Sequence, residues 1–251
     1  MKLGKALFAL PTLFTLSSVL LGFLSITFVM DGEFRLAAIA ILFAGLFDAL
    51  DGKVARLTRT ESKFGIQIDS LADVMSFGLA PAVLIYGAAL HELRLGALDL
   101  GLLVAFLFVA AGAIRLARFN IMAENVSGPM KRFVGLPIPM AAGTLASLVL
   151  AVSSSGATLP AAPVIGLIAL LAFLMVSNFT YRKSPAASRL GALLVLSPLV
   201  TLVVVLLVTR PAYAFLGFFV YYLIFGLVET GVLRIRHRRR RAEEIHDPVD
   251  D

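Results

Sequence analysis

Apolar stretches of about 20 residues follow one another along this chain, and each is long enough to cross about 30 Å of hydrocarbon as a helix. In lipid, the backbone polar groups of such a run must be bonded within the segment, so the α-helix is the spanning form it can take. Composition agrees: 59% of the 251 residues are hydrophobic and 15% charged, against about 45–50% and about 25% in soluble domains. The expected fold class is all-α, a polytopic transmembrane helical bundle. About eight spans are read, at roughly 9–30, 34–57, 69–90, 99–120, 136–153, 160–178, 190–208 and 212–233. No internal repeat or second domain is visible. Residues 1–233 form the transmembrane domain, and 234–251 a tail that is basic and then acidic. The first span starts after "MKLGK" like a signal peptide, but no small-residue cleavage site follows and it is long enough to stay in the membrane.

All of the 22 lysines and arginines except Arg35, Arg94 and Arg210 fall at one set of span ends and in the tail. Basic residues accumulate on the cytoplasmic side. The expected localisation is therefore the cell (inner) membrane with both termini cytoplasmic. The tail "RIRHRRRR" anchors that topology and would be drawn to anionic headgroups of membrane lipids. A nucleic-acid partner is not expected.

Cysteine is absent, which excludes disulfides, thiolate nucleophiles and cysteine-held zinc or iron–sulfur sites. His91, His237 and His246 fall in predicted loops or the tail. Any metal inside the bundle would be a hard cation on oxygen ligands, Mg²⁺ or Mn²⁺.

Four aspartates interrupt the apolar pattern at the cytoplasmic ends of the second and third spans: Asp48, Asp51, Asp69 and Asp73. Intramembrane acids are costly and mark function by default. At about 100° per residue, Asp48, Asp51, Gly52 and Ala55 share one face of the second span. Arg56 follows at its end, where a planar fork of donors suits phosphate. Asp69 and Asp73 are four apart and share a face, with Gly65, Ala72, Ser76 and Ala80 on or near the same stripe. Small residues let membrane helices approach closely. Pressed together, the two stripes would gather four negative charges that two divalent ions would nearly neutralise, and two ions about 3.5–4 Å apart clamp phosphoryl groups. The bland alternative, four separately paired or capping aspartates, does not account for spacings of three and four on adjacent spans.

The pattern Asp48-x-x-Asp51-Gly52-x-x-Ala55-Arg56, eight residues, Gly65-x-x-x-Asp69-x-x-x-Asp73 resembles the complete signature of the CDP-alcohol phosphotransferases. The resemblance implies a six-helix core with further C-terminal spans. It implies that Asp48, Asp51, Asp69 and Asp73 coordinate two divalent metals that grip the pyrophosphate of a CDP-linked lipid, with Asp73 as catalytic general base. It further implies that Gly52, Ala55 and Gly65 give the cytidine room, that Arg56 contacts phosphate, and that the protein is a homodimer. "DSLADVMSFGLAPA", "RLARFN" and "FVGLPIPMAAG" resemble the phosphatidylserine synthase branch of the family, with CDP-diacylglycerol as donor and L-serine as acceptor. Another acceptor alcohol (glycerol 3-phosphate, inositol phosphate or choline) or an archaeal ether-lipid donor would keep the same chemistry.

Arg115, Arg118 and Asn120 end the fourth span at the cytoplasmic face. They read as a charged cap or as an anion site for lipid phosphate or the serine carboxylate, with Arg115 the deeper. Lys131 and Arg132, before "FVGLP", have the same two readings. Ser76 reads either as a substrate contact or as a serine bonded to helix backbone. A cation transporter is the rival of another class. It would need an acidic relay across the bundle, which the clustering at one end does not provide.

Overall fold

The structure, a computed structural model, describes residues 2–58, 60, 62–124, 132–178, 180–182, 204, 212–225 and 227. Helix α1 (Lys2–Met30) and helix α2 (Phe34–Thr58) form an antiparallel pair. The turn between them closes on Gly32 at φ 78°, a left-handed position where a Cβ is unfavourable. Glu33 N–H reaches back to the Phe28 carbonyl at 2.8 Å. A four-residue link leads from α2 to α3 (Lys63–Asp73), which runs on without a break. A π-helical stretch (Val74–Leu79), α4 (Ala80–Ile85) and a second π-helical stretch (Tyr86–Leu90) complete this long helix. Next come α5 (Leu100–Glu124), α6 (Ile138–Ser155), α7 (Ala161–Val176) and α8 (Ala212–Phe225).

Four helical segments are long and apolar enough to cross a membrane: Leu10–Met30, Phe64–Leu90, Leu100–Met122 and Ile138–Ser155. Helix α2 is 25 residues long but carries Arg35, Asp48, Asp51, Lys53 and Arg56, so it is less apolar than these four. Helix α7 has 16 residues, about 24 Å at 1.5 Å per residue, and falls short of the hydrocarbon thickness. The predicted span at 190–208 lies outside the described residues apart from Val204, as does the tail at 234–251. Large apolar side chains face outward on α1 (Leu13, Leu16, Leu20, Phe23) and α5 (Leu102, Leu103, Phe106, Leu107). Exposed apolar surface on this scale is what lipid requires and water does not tolerate. The chain is an integral membrane protein built chiefly of helices.

Two short antiparallel strand pairs were not expected from the hydropathy. β1 (Arg94–Leu95) pairs with β2 (Leu98–Asp99) in the turn before α5. β3 (Arg132–Val134) pairs with β4 (Thr180–Arg182) at the opposite end of the bundle. The long helix also starts at Lys63, where the sequence suggested loop up to residue 68. Ser62 caps it by accepting the Gly65 N–H at 3.0 Å, so the polar run 63–69 is helical and Asp69 sits inside a helix. Pro137 precedes α6 and Pro139 lies in its first turn, where a missing N–H costs nothing.

Packing in the core relies on small residues. Ala37, Ala38 and Ala44 of α2 are fully buried, as are Ala141, Ala142 and Ala146 of α6, and these two helices lie against each other. Helix α1 packs along α2, α3 and the first π stretch. There Ser76, wholly buried, donates from Oγ to the Ser18 carbonyl at 3.0 Å. A Cβ added to Gly22 would sit 2.8 Å from the Ser76 Cα. That neighbour is backbone and cannot rotate away. Gly22→Val is therefore expected to force α1 off the π stretch and destabilise the fold by about 1–3 kcal/mol, the usual cost of overpacking. A fall in thermal midpoint in detergent checks this; an unchanged midpoint would contradict the close approach.

Candidate active site

The fold brings the acidic end of α2 to Asp69 of α3. Oxygens of Asp48, Asp51 and Asp69 lie within 4.8 Å of one another. Asp73, one turn further along α3, is not part of that trio but its side chain is within hydrogen-bond reach of Asp48. Asp51 is 5% exposed. Among the described residues no lysine, arginine or histidine nitrogen forms a salt bridge with any of the four. Asp73 Oδ1 is buried and has no hydrogen-bond partner.

Such an arrangement is unfavourable as it stands. Desolvated carboxylates repel one another, and an unpaired buried one costs several kcal/mol on the general scale for buried ions. Hard divalent cations relieve all of these terms at once. The donor set is oxygen only, which fits Mg²⁺ or Mn²⁺ and not a soft metal. The orphaned Asp73 oxygen and the converging trio both fit a bound cation.

Around the cluster, Gly52 leaves a gap over which the Arg56 guanidinium folds, 3.7 Å from where a Cβ would stand. Arg56 itself is exposed and Ala55 half-buried. Gly65 lies in the first turn of α3, with its N–H on the Ser62 cap. Thr15 of α1 donates from Oγ1 to Asp51 Oδ2 at 2.8 Å. Sequence reasoning passed over Thr15, because a threonine inside an apolar span carries no local signal of what it faces.

Helix α5 supplies a cation at the deep end. Arg115 is 4% exposed and its Nε has no hydrogen-bond partner. The Phe119 ring lies 6.0 Å from its guanidinium carbon. Arg118 is used differently. It donates to the carbonyls of Val176 at 2.6 Å and Ser177 at 3.0 Å, and reaches Asn178 Oδ1 at 3.3 Å. These are the free carbonyls at the end of α7, so Arg118 caps that helix. Asn120 donates to Ser70 Oγ at 2.9 Å and ties α5 to α3. Ser76 engages α1. Arg132 opens β3, in register with Arg182 of β4, and Lys131 lies outside the described residues. Among the described residues no carboxylate lies within the helices between Asp73 and the far end of the bundle, so the acids form no relay across it.

Fold and site together define an integral membrane protein with a carboxylate cluster, suited to hard cations, at one end of a helical bundle. The chain belongs to the CDP-alcohol phosphatidyltransferase family, which it matches over residues 8–177. That stretch contains all four aspartates, and the family is divalent-metal dependent. The chain is 40% identical over 234 residues to the CDP-diacylglycerol–serine O-phosphatidyltransferase of Helicobacter pylori strain J99, covering 92% of this chain and 94% of that protein. It is 39% identical over 171 residues to a protein of the same name from Methanocaldococcus jannaschii, covering 68% and 72%. Identity to the archaetidylserine synthase of Methanothermobacter thermautotrophicus is 46% over 144 residues, covering 57% and 58%.

Proposed function

We propose that this protein transfers a phosphatidyl group from CDP-diacylglycerol to the hydroxyl of L-serine and releases CMP. The observation that carries the reading is the similarity to the Helicobacter pylori serine enzyme over 92% of this chain, in a fold that brings three of the four signature aspartates together with the fourth one turn away. Asp48, Asp51, Asp69 and Asp73 would hold two divalent cations, Mg²⁺ or Mn²⁺, which when bound would supply charge neutralisation and Lewis-acid polarisation for the donor phosphates. Asp73 takes the proton from the serine hydroxyl. The new bond runs from serine Oγ to the phosphatidyl phosphorus, and the bond that breaks is the one to the CMP oxygen. Gly52, Ala55 and Gly65 leave space for the cytidine, and Arg56 at the open end of α2 meets a donor phosphate.

Among the candidates whose side chains the structure describes, the acceptor reading favours Arg115. Arg118 and Ser76 are engaged in packing, and the Asn120 amide is turned to Ser70. Arg115 is buried with an unused Nε, and this guanidinium, lying deeper than Arg118, is the one we assign to the serine carboxylate. The cytoplasmic placement of the termini and site follows from the distribution of basic residues, and a homodimer from the family resemblance. An ether-lipid donor is a second reading, favoured by the similarity to the archaetidylserine enzyme.

The direct test is CMP release by purified protein given CDP-diacylglycerol or its ether analogue and a panel of alcohols. Release is expected with serine, abolished by EDTA and restored by Mg²⁺ or Mn²⁺. Full activity in excess chelator would overturn the metal reading, and no activity with serine would overturn the acceptor. In the same assay Asp73→Asn is expected to lower kcat by at least about 10²-fold, the lower bound for lost general-base catalysis. Near-normal turnover would remove Asp73 from that role. Arg115→Lys keeps the charge and loses the fork. It is expected to raise KM for serine more than KM for the donor, the pattern of an interaction common to ground and transition states. A selective rise in the donor KM would assign Arg115 to the lipid phosphate instead.

A further inference from the structure

Thr15 lies on α1, a helix that contributes nothing to the acidic signature. It is 5% exposed. Among the described residues, Asp51 accepts one hydrogen bond from another side chain, that of Thr15 Oγ1 at 2.8 Å. The hydroxyl has one proton and two acceptors in reach, since the Pro11 carbonyl lies 3.1 Å away. A mid-helix threonine ordinarily bonds back to the carbonyl four residues earlier. Here the carboxylate is the nearer acceptor, and a bond to a charged oxygen is roughly twice as strong as a neutral one.

The consequence concerns the orientation of Asp51. Its side chain stands on α2 beside Asp48 and across from Asp69, and the nearest like charges push it away. The Thr15 bond to Oδ2, with the Gly52 backbone N–H that also bonds Asp51, restrains the rotation of this carboxylate, one oxygen of which lies within 4.8 Å of oxygens of Asp48 and Asp69. Because α1 packs along both α2 and α3, the anchor is itself rigid. We infer that Thr15 is a positioning residue, holding the Asp51 carboxylate in the orientation in which it meets a divalent cation shared with Asp48 and Asp69. This rests on the divalent-cation reading of the site given above. It makes α1 part of the cation site through a hydroxyl that does not itself touch the ion. Partners of this kind, one bond removed from the metal, change affinity by about 10–100-fold.

The test measures cation binding directly. Mn²⁺ affinity of the purified full-length protein is read by electron paramagnetic resonance of free Mn²⁺, without substrate. Thr15→Val keeps the shape and removes the hydroxyl, and it is expected to weaken Mn²⁺ binding by about 10–100-fold. Thr15→Ser restores the donor and is expected to bind close to wild type. A structural role alone would lower the thermal midpoint of the metal-free protein in Thr15→Val and leave Mn²⁺ affinity unchanged, and that result overturns the inference. Should Thr15→Val fail to fold, Thr15→Cys, with a weak S–H donor, takes its place under the same expectation. If the wild-type protein shows no saturable Mn²⁺ binding, the metal reading falls and this inference with it. Tight wild-type binding with an unaffected variant overturns the role of Thr15 alone.

Discussion

A cluster of carboxylates with no salt-bridge partner among the described residues is the constraint around which one end of this bundle is arranged. They repel each other and each has lost hydration, so the apo arrangement is held by its frame and not by its own interactions. The frame consists of α1 laid against both α2 and α3, with α2 also packed on the π stretch and α4 that continue α3. With three helices packed around it, the cluster is held together by that packing, and a bound cation would relieve the repulsion between its carboxylates. This is the sense in which the site is preorganised for chemistry on a charged phosphate.

Small residues make that frame possible. Gly22 lets the α1 backbone come against Ser76, and the alanines of α2 and α6 let those helices meet without large side chains between them. The π-helical stretch immediately after Asp73 matters in the same way. Ala80 N–H bonds to the Met75 carbonyl five residues back, so the turn is wider than in an α-helix. Ser76, Phe77 and Gly78, three in succession, are then all buried. Each meets a different neighbour: Ser76 reaches α1, Phe77 approaches Gly45 of α2, and Gly78 lies near Ile138 and Val109. Widened turns of this kind are frequent at functional sites.

The basic residues at the same end divide into two kinds of work. Arg118 satisfies carbonyls that α7 leaves open, and near it Gly135 at φ 80° and Leu136 N–H close onto the same helix end. Arg115, three residues earlier on α5, is buried with an unused donor. Their proximity in sequence hides this difference, because three residues along a helix is most of a turn and carries the two side chains toward different neighbours. Both had been candidates for anion recognition. The partners each finds in the fold separate them.

Much of the protein was legible in the amino-acid order. The lengths of the apolar runs gave the helical membrane class, because lipid leaves the backbone no other way to satisfy its hydrogen bonds. The spacing of the aspartates foretold that Asp48, Asp51 and Asp69 converge, because residues three and four apart share a helix face wherever the helix packs. Short local signals were readable in principle: Ser62 ahead of Gly65 marks the start of α3, although the polar run after it read as loop. What only the tertiary structure decided is everything that depends on which helix faces which. Thr15 reaches Asp51 across 36 positions, Ser76 reaches Ser18 across 58, and Arg118 reaches Val176 across 58. A hydroxyl or guanidinium in an apolar run looks the same whether it meets lipid, its own backbone or a carboxylate. Its partner is fixed by packing between helices, which no periodicity within one helix encodes.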